Sequence, residues 1–204
     1  GDMGRIGLTV PSNERNVVLA TVEASPDARG TYRTDDGGAN WSKLNGNLAT
    51  SPQYYQELYA DPSVRGRVYM IDTFLQTSDD GGRTWRRAGE TNKHVDNHVV
   101  WIDPDDSRHL LVGCDGGLYE TFDRCATWNF FPHLPITQFY SGSVAPANAA
   151  RIVGGAQDNG TVKTETGPSG WSEVLGGDGL MCQWHPLGAN TLYAEWQYSC
   201  DRSG

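Results

Sequence analysis

The chain repeats itself every forty-three residues or so. Trp41, Trp85, Trp128 and Trp171 are separated by 44, 43 and 43 positions. A second series runs in step. Pro11, Pro62, Pro104, Pro146 and Pro186 each precede by five residues a β-rich segment: Asn16-Val-Val-Leu-Ala-Thr, Arg67-Val-Tyr-Met-Ile-Asp, His109-Leu-Leu-Val-Gly-Cys, Arg151-Ile-Val-Gly-Gly-Ala and Thr191-Leu-Tyr-Ala-Glu-Trp. Two landmarks held in register over four periods constrain the fold more tightly than any composition figure.

A strand-and-turn repeat of this length predicts an all-β chain, one four-stranded antiparallel blade per unit, arranged as in a β-propeller. The units run approximately 1–46, 47–90, 91–134 and 135–176, with the start of a fifth at 177–204. The last residues, from Asp201, then fall just after the second strand of that fifth unit. Four blades and part of a fifth make an arc, so the 204 residues read as a segment of a larger propeller, completed by its remaining blades. A free-standing four-blade ring fits less well, because no strand is placed to close it and open edges would be left bare.

Within a unit the strands can be lettered A to D. In the third, A is His98-Val-Val-Trp-Ile-Asp, ending at Pro104, where a ladder donor is not needed. B is His109 to Cys114, C is Leu118-Tyr-Glu-Thr-Phe, and D begins near Trp128. The C-to-D connections share a pattern: Thr34-Asp-Asp-Gly-Gly-Ala-Asn-Trp41, Ser78-Asp-Asp-Gly-Gly-Arg-Thr-Trp85, and a weaker Thr121-Phe-Asp-Arg-Cys-Ala-Thr-Trp128; in the fourth unit only Gly170-Trp171 remains. A hydroxyl and an aspartate two residues on can bond the donors of a tight turn, and glycine permits positive φ. Asp36, Asp80 and Asp123 are therefore expected to be scaffold, with Trp41, Trp85 and Trp128 filling space against neighbouring strands.

This pattern resembles the Asp-box, or bacterial neuraminidase repeat, Ser/Thr-x-Asp-x-Gly-x-Thr-Trp. The first box has Asn40 where Thr is usual, and the third has Cys125 in place of glycine. Further segments (Gly4-Arg-Ile-Gly7, Tyr54-Tyr55, Asp96-Asn-His98, Gly113-Cys-Asp-Gly-Gly117, Gly155-Ala-Gln-Asp-Asn-Gly160 and Gly177-Asp-Gly179) make nearly the whole chain similar to sortilin (VPS10)-type propellers and their bacterial glycosyl-hydrolase-like relatives. The resemblance implies an extracellular or cell-envelope location and a carbohydrate, peptide or protein ligand. The likeness does not extend to sialidases: Arg5 is followed by Ile6-Gly7 rather than Ile-Pro, and one arginine stands where sialidases bring three.

In such blades the D-to-A and B-to-C loops emerge on one face and the Asp-box turns on the other. The first face would collect Arg5, Gln53, Tyr54, Tyr55, Asp96, Asn97, His98, Gln138, Tyr140 and Asp178 from D-to-A connections. The B-to-C connections would add Asp72, Asp115, Gln157, Asp158, Asn159 and Gln197. Acids, amides, aromatics and a histidine on one rim suit a polar, hydroxyl-rich or peptide ligand. Asp-Gly and Asp-Asn-Gly are also ordinary turn signals, so each aspartate has a turn-making alternative. For glycoside hydrolysis, which needs two carboxyls about 5 to 5.5 Å or 6.5 to 9.5 Å apart, the candidates are Asp115, Asp158 and Asp178, with Asp96 in reserve. A non-catalytic binding module and a purely structural repeat are the competing readings.

The net charge of −9 argues against a nucleic-acid surface, and no stretch is long and apolar enough to span a membrane. His94 and His98 lie in a loop without a His-Glu-x-x-His pattern, and the rim aspartates lack calcium-loop spacing, so neither metal nor other cofactor is expected. Cys114, Cys125, Cys182 and Cys200 show no paired spacing and read as isolated buried thiols.

Overall fold

The computed structural model describes residues 2–134, 137–187 and 190–203. They form nineteen strands and no helix among the described residues, divided into two compact units, Gly1–Pro132 and His133–Gly204. Every strand pairing is antiparallel between chain neighbours, which defines the meander of a propeller blade.

The first unit holds three four-stranded sheets. These are β1 (Met3–Thr9), β2 (Val18–Ala24), β3 (Gly30–Thr34) and β4 (Ser42–Asn45); β5 (Leu58–Ala60), β6 (Val68–Met70), β7 (Gln76–Ser78) and β8 (Arg86–Arg87); and β9 (Asn97–Ile102), β10 (Leu110–Cys114), β11 (Gly117–Thr121) and β12 (Asn129–Phe130). The second unit holds β13 (Ser141–Ala145), β14 (Asn148–Gly155), β15 (Thr161–Thr164) and β16 (Ser172–Leu175), then a three-stranded sheet of β17 (Cys182–Trp184), β18 (Leu192–Trp196) and β19 (Ser199–Ser203). The last strand corrects an expectation. The chain does not stop after the second strand of its fifth sheet: Ser199–Ser203 turns back at once and pairs with β18 from Trp196↔Ser199 to Leu192↔Ser203.

The second strands of the second and third sheets, Val-Tyr-Met and Leu-Leu-Val-Gly-Cys, are short apolar runs. In β6, Val68 and Met70 pack with Leu19, Leu58, Leu44 and Trp85, at the contact of the first and second sheets. Tyr69 and, just past the strand end, Ile71 point the other way, into a cluster with Val100, Ile102, Leu110, Val112 and Cys125, at the contact of the second and third. The two-residue period of the strand thus assigns alternate side chains to two separate cores. In the second unit, Val153, Cys182, Trp184, Leu192 and Ala194 form the corresponding layer. At the contact of β1 with β5, Gly7 has no room for a side chain: a Cβ there would lie 1.9 Å from the Gln56 carbonyl oxygen.

The three Thr/Ser-x-Asp turns of the first unit are closely alike. Thr34, Ser78 and Thr121 each accept a backbone N–H four residues on, from Gly38, Gly82 and Cys125 at 3.0, 2.9 and 3.1 Å. Asp36, Asp80 and Asp123 each accept the N–H of Asn40, Thr84 and Thr127 at 2.9, 2.9 and 2.8 Å. The same aspartates take a second bond from the Asn40 amide or the Thr84 and Thr127 hydroxyls. These donors hold the Asp36 and Asp123 carboxyls down at about 2, the Asn40 N–H acting first on Asp36 and the Thr127 hydroxyl first on Asp123. Asn40 therefore replaces threonine without loss of a bond, and Cys125 adopts the left-handed φ of 69° that the pattern reserves for glycine.

Each turn is tied to the A-to-B turn of its own sheet, by Gly37 N–H to Asn16, Gly81 N–H to Gly66 and Arg124 N–H to Arg108 carbonyls. The indole N–H groups reach across to the preceding sheet: Trp85 donates to the Thr31 hydroxyl at 3.2 Å and Trp128 to the Gly89 carbonyl at 2.8 Å. Trp41 makes no such bond among the described residues and is 43% exposed.

Candidate functional site

Within the first unit the D-to-A and B-to-C loops converge. The Asp96 N–H donates to the Thr73 carbonyl at 2.8 Å, and the Asp96 carbonyl accepts the Asp115 N–H at 3.2 Å. Asp96 itself takes a left-handed φ of 58°, a turn conformation that aspartate tolerates. Its carboxylate receives the Tyr55 hydroxyl at 2.9 Å, and burial followed by that carboxylate pushes the phenol well above its ordinary pKa. Tyr55 is thereby fixed as a buried post.

Tyr54 stands edge-on to Tyr55, with ring centroids 4.9 Å apart, and is itself 59% exposed. His98, at the start of β9, lies 6.0 Å from both tyrosine rings, and its Nε2 is 2.6 Å from Asp115 Oδ1. Arg5, expected in a loop, is instead in β1; its guanidinium donates to the Gln53 and Tyr54 carbonyls and pairs with Glu57. Arg5, Tyr54, Tyr55, Asp96, His98 and Asp115 thus form one contiguous strip across three sheets.

Two residues expected on this rim are structural. Asn97 is fully buried: its amide donates to the Asp72 and Thr73 carbonyls and to Glu90, while its oxygen accepts Lys93 Nζ at 2.5 Å. An amide so occupied cannot meet a ligand. Asp72 is also buried, capping the Thr50 and Thr73 N–H groups at 2.9 and 2.8 Å and accepting the Gln76 amide at 2.6 Å. Lys93, whose ammonium is wholly buried among Glu90, the His94 carbonyl and Asn97, was not foreseen as part of the loop's support. Nor was Glu57, which anchors Arg5 and follows the tyrosine pair by two residues; an isolated glutamate beside a strand carries no motif.

The second unit carries the remaining candidates. Asp178 directs its carboxylate to the Asp158 N–H at 2.9 Å, and its own N–H donates to the Gln197 side chain at 2.8 Å. Asp158 has a left-handed φ of 60°, and the Asn159 amide bonds the Gln157 carbonyl at 3.1 Å. Gln157, Asp158 and Asn159 are exposed at this turn, as are Gln138 and Tyr140, the latter held through its N–H by the Gly155 carbonyl. Asp115 belongs to the first unit and Asp158 and Asp178 to the second. Here Asp178 braces the turn that presents Asp158.

The rim of the first unit can stack, accept and donate. No hydroxyl or thiol is bonded to His98 among the described residues, and the Cys114 thiol, raised in pKa by burial, donates to the Gly117 carbonyl. No group of three or more histidine, cysteine or acidic side chains is arranged to hold a metal among the described residues. All four cysteines are unpaired; Cys125 and Cys182 are buried, but Cys200 is exposed, against the expectation that all four are buried thiols.

The fold is that of the β-propeller class. The chain is similar in structure to the GH74 enzyme of Niastella koreensis, with 16% identity and a TM-score of 0.51, covering 98% of this chain and 36% of that one. Looser likenesses link it to the GH74 xyloglucanase of Xanthomonas campestris (16% identity, TM-score 0.42, 93% of this chain and 35% of that one) and to YCF48 bound to D1 peptide (12%, 0.45, 99% and 63%). At these identities the likeness is one of fold. The chain spans about a third of the length of the two GH74 structures. No family model and no curated protein matches it.

Proposed function

We propose that the chain is the ligand-binding part of a β-propeller and that the strip around Tyr54, His98 and Asp115 binds a carbohydrate. The observation that carries this is the pairing of an exposed tyrosine with a histidine–carboxylate pair on a braced loop: a ring face for stacking and polar atoms fixed in direction beside it. Arg5 and Asp96 position the two tyrosines, and Gln138, Tyr140, Gln157, Asp158 and Asn159 offer a second polar rim. Hydrolysis would need two free carboxyls facing one bond, and Asp178 already supports a turn, so binding without cleavage is the better reading. Location outside the cell or in its envelope follows from the resemblance to Asp-box propellers.

The test is a glycan array followed by NMR titration of the chain with the best binder. Tyr54→Ala and His98→Ala are each expected to weaken binding by about tenfold, the equivalent of ~1.4 kcal/mol. A binder unaffected by both substitutions would overturn the assignment; a peptide that bound in place of glycans would move the ligand class but keep the site.

The remaining blades of the same propeller are the proposed partner of a second surface. Ile6 and Leu8 of β1, and Val10 just after it, alternate along the chain and are exposed together with Trp41. Trp85 and Trp128 occupy the equivalent place in their turns and are capped by the sheet before them. A further sheet placed ahead of β1 would bury this apolar face and supply the acceptor for the Trp41 N–H. In a longer form of the protein, Trp41 should become protected from acrylamide quenching; unchanged quenching would refute it.

A further inference from the structure

On the face opposite the aromatic rim, the second and third sheets enclose a cavity of about 180 Å³ lined by Arg67, Tyr69, Thr77, Asp79, Arg86, Asp123 and Arg124 among others. Its chemistry stands out when the neighbouring junction is aligned on the Thr34 and Ser78 turns and the strand registers. Between the first and second sheets, the place of Thr77 is taken by Arg33. That guanidinium fills the space, bonded to Glu14 at 3.0 Å and Asp35 at 2.7 Å, and lies over Gly81. Between the second and third sheets the filler is lost to a threonine. At the same time Val17 becomes Arg67, Leu19 becomes Tyr69, and Gly81 becomes Arg124. A plug has been removed, and two guanidiniums and a phenol have been added around the space it leaves.

Arg124 is the telling member. It has a left-handed φ of 58°, followed by Cys125 at 69°, where the other two turns place Gly-Gly. A non-glycine residue there is strained, and such strain is held where the surrounding structure fixes it, as at functional positions. Arg124 has no ion-pair partner among the described residues. Tyr69 is almost fully buried, yet its hydroxyl has no hydrogen-bond partner among the described residues. Arg67 pairs with Asp79 at 2.8 Å and with the buried Asp61 at 3.7 Å, Arg86 takes the second oxygen of Asp79 at 2.9 Å, and the Asp123 carboxylate is saturated within its own turn. Arg124 is thus the arginine of this cavity without a carboxylate partner among the described residues, in a chain whose net charge is −9.

We propose that this cavity binds a small tetrahedral oxyanion, a phosphate or sulfate group. Guanidinium forks match such oxygens two at a time, and a phenol donates the further bond. The assignment is independent of the rim on the other face.

The experiment is a ¹H–¹⁵N NMR titration of the chain with inorganic phosphate and, separately, inorganic sulfate, at constant ionic strength made up with chloride, with acetate as the carboxylate control. Saturable shifts are expected at Thr77, Arg124 and Cys125, while acetate produces no saturation. Which of phosphate and sulfate binds tighter identifies the source. Arg124→Gly restores the residue of the other two turns, so it should fold at least as well as the parent, and should bind about tenfold more weakly, as loss of one charged hydrogen bond requires. Tyr69→Phe should also weaken binding without unfolding the chain. Absence of saturation with both oxyanions, equal binding of acetate, or unchanged affinity in Arg124→Gly would overturn the proposal.

Discussion

Lys93 is the residue whose loss should be felt furthest. Its ammonium is fully buried and makes three bonds, to Glu90 at 2.9 Å, the His94 carbonyl at 2.8 Å and Asn97 at 2.5 Å, beneath the rings of Tyr119 and Trp128. Replacing it with methionine preserves the length and apolar stem but strips Glu90 of its counter-charge. Glu90 would keep the Leu75 N–H and the Asn97 amide, both at 3.0 Å, so the carboxylate is not abandoned entirely. Breaking a buried pair by removing one partner costs about 3 to 5 kcal/mol, and these two surviving donors place the loss near the lower figure. Against a total stability on the order of 5 to 15 kcal/mol, that is a large fraction. The double variant Lys93→Met/Glu90→Gln should recover ~1 to 2 kcal/mol, because no bare charge remains. Urea unfolding followed by tryptophan fluorescence and by circular dichroism would measure both, with coincident curves and an unchanged m-value as the condition for comparing them. A loss under about 1 kcal/mol for the single variant, or strict additivity in the pair, would show that the ammonium is not the support described.

Three further outcomes can be checked. Asp103 first and then Glu120, each 2.9 Å from a ring nitrogen, raise the His109 pKa; the resulting stability is full below the unfolded value of about 6.5 and lost as pH rises through the folded one. His109→Gln should therefore flatten the decline of melting temperature with pH above neutrality, and an unchanged profile would exclude the imidazolium. The depressed Asp123 carboxyl has the opposite sign: its contribution is present above about 3.9 and lost as pH falls through about 2, so Asp123→Asn should reduce the acid sensitivity of unfolding in that window, and an acid profile identical to the parent's would refute this. Trp85→Phe, which loses the bond to Thr31, should cost about 1 kcal/mol, whereas Trp41→Phe should cost much less in chemical denaturation; equal losses would contradict the description of Trp85 as a bridge between sheets.

Strand placement was legible because a proline announces each second strand; His109 to Cys114 and β10 differ by a single residue. The final strand was not, since Ser199–Ser203 contains Asp201 and Arg202 and has no apolar run to announce it. Of the rim, Tyr54, Tyr55, Asp96, His98 and Asp115 could be grouped from loop parity alone. Asn97 could not be separated from its neighbours Asp96 and His98, because its burial is decided by Lys93, Glu90 and two distant carbonyls rather than by its own position. The arginine cavity was invisible for a related reason: Arg67 and Arg124 lie in different units of the repeat, and what matters is the missing plug at Thr77.

Neighbouring residues of β6 answer to different masters. A cavity cut at Val68 is felt by the layer shared with Leu19, while one cut at Tyr69 is felt by the layer shared with Val112. The second sheet is therefore a diaphragm between two compartments, and disorder in one compartment can reach the other only by bending the strands that separate them. Hydrogen exchange should accordingly fall into steps along the stack, with amides of β6 exchanging only after both flanking layers have opened.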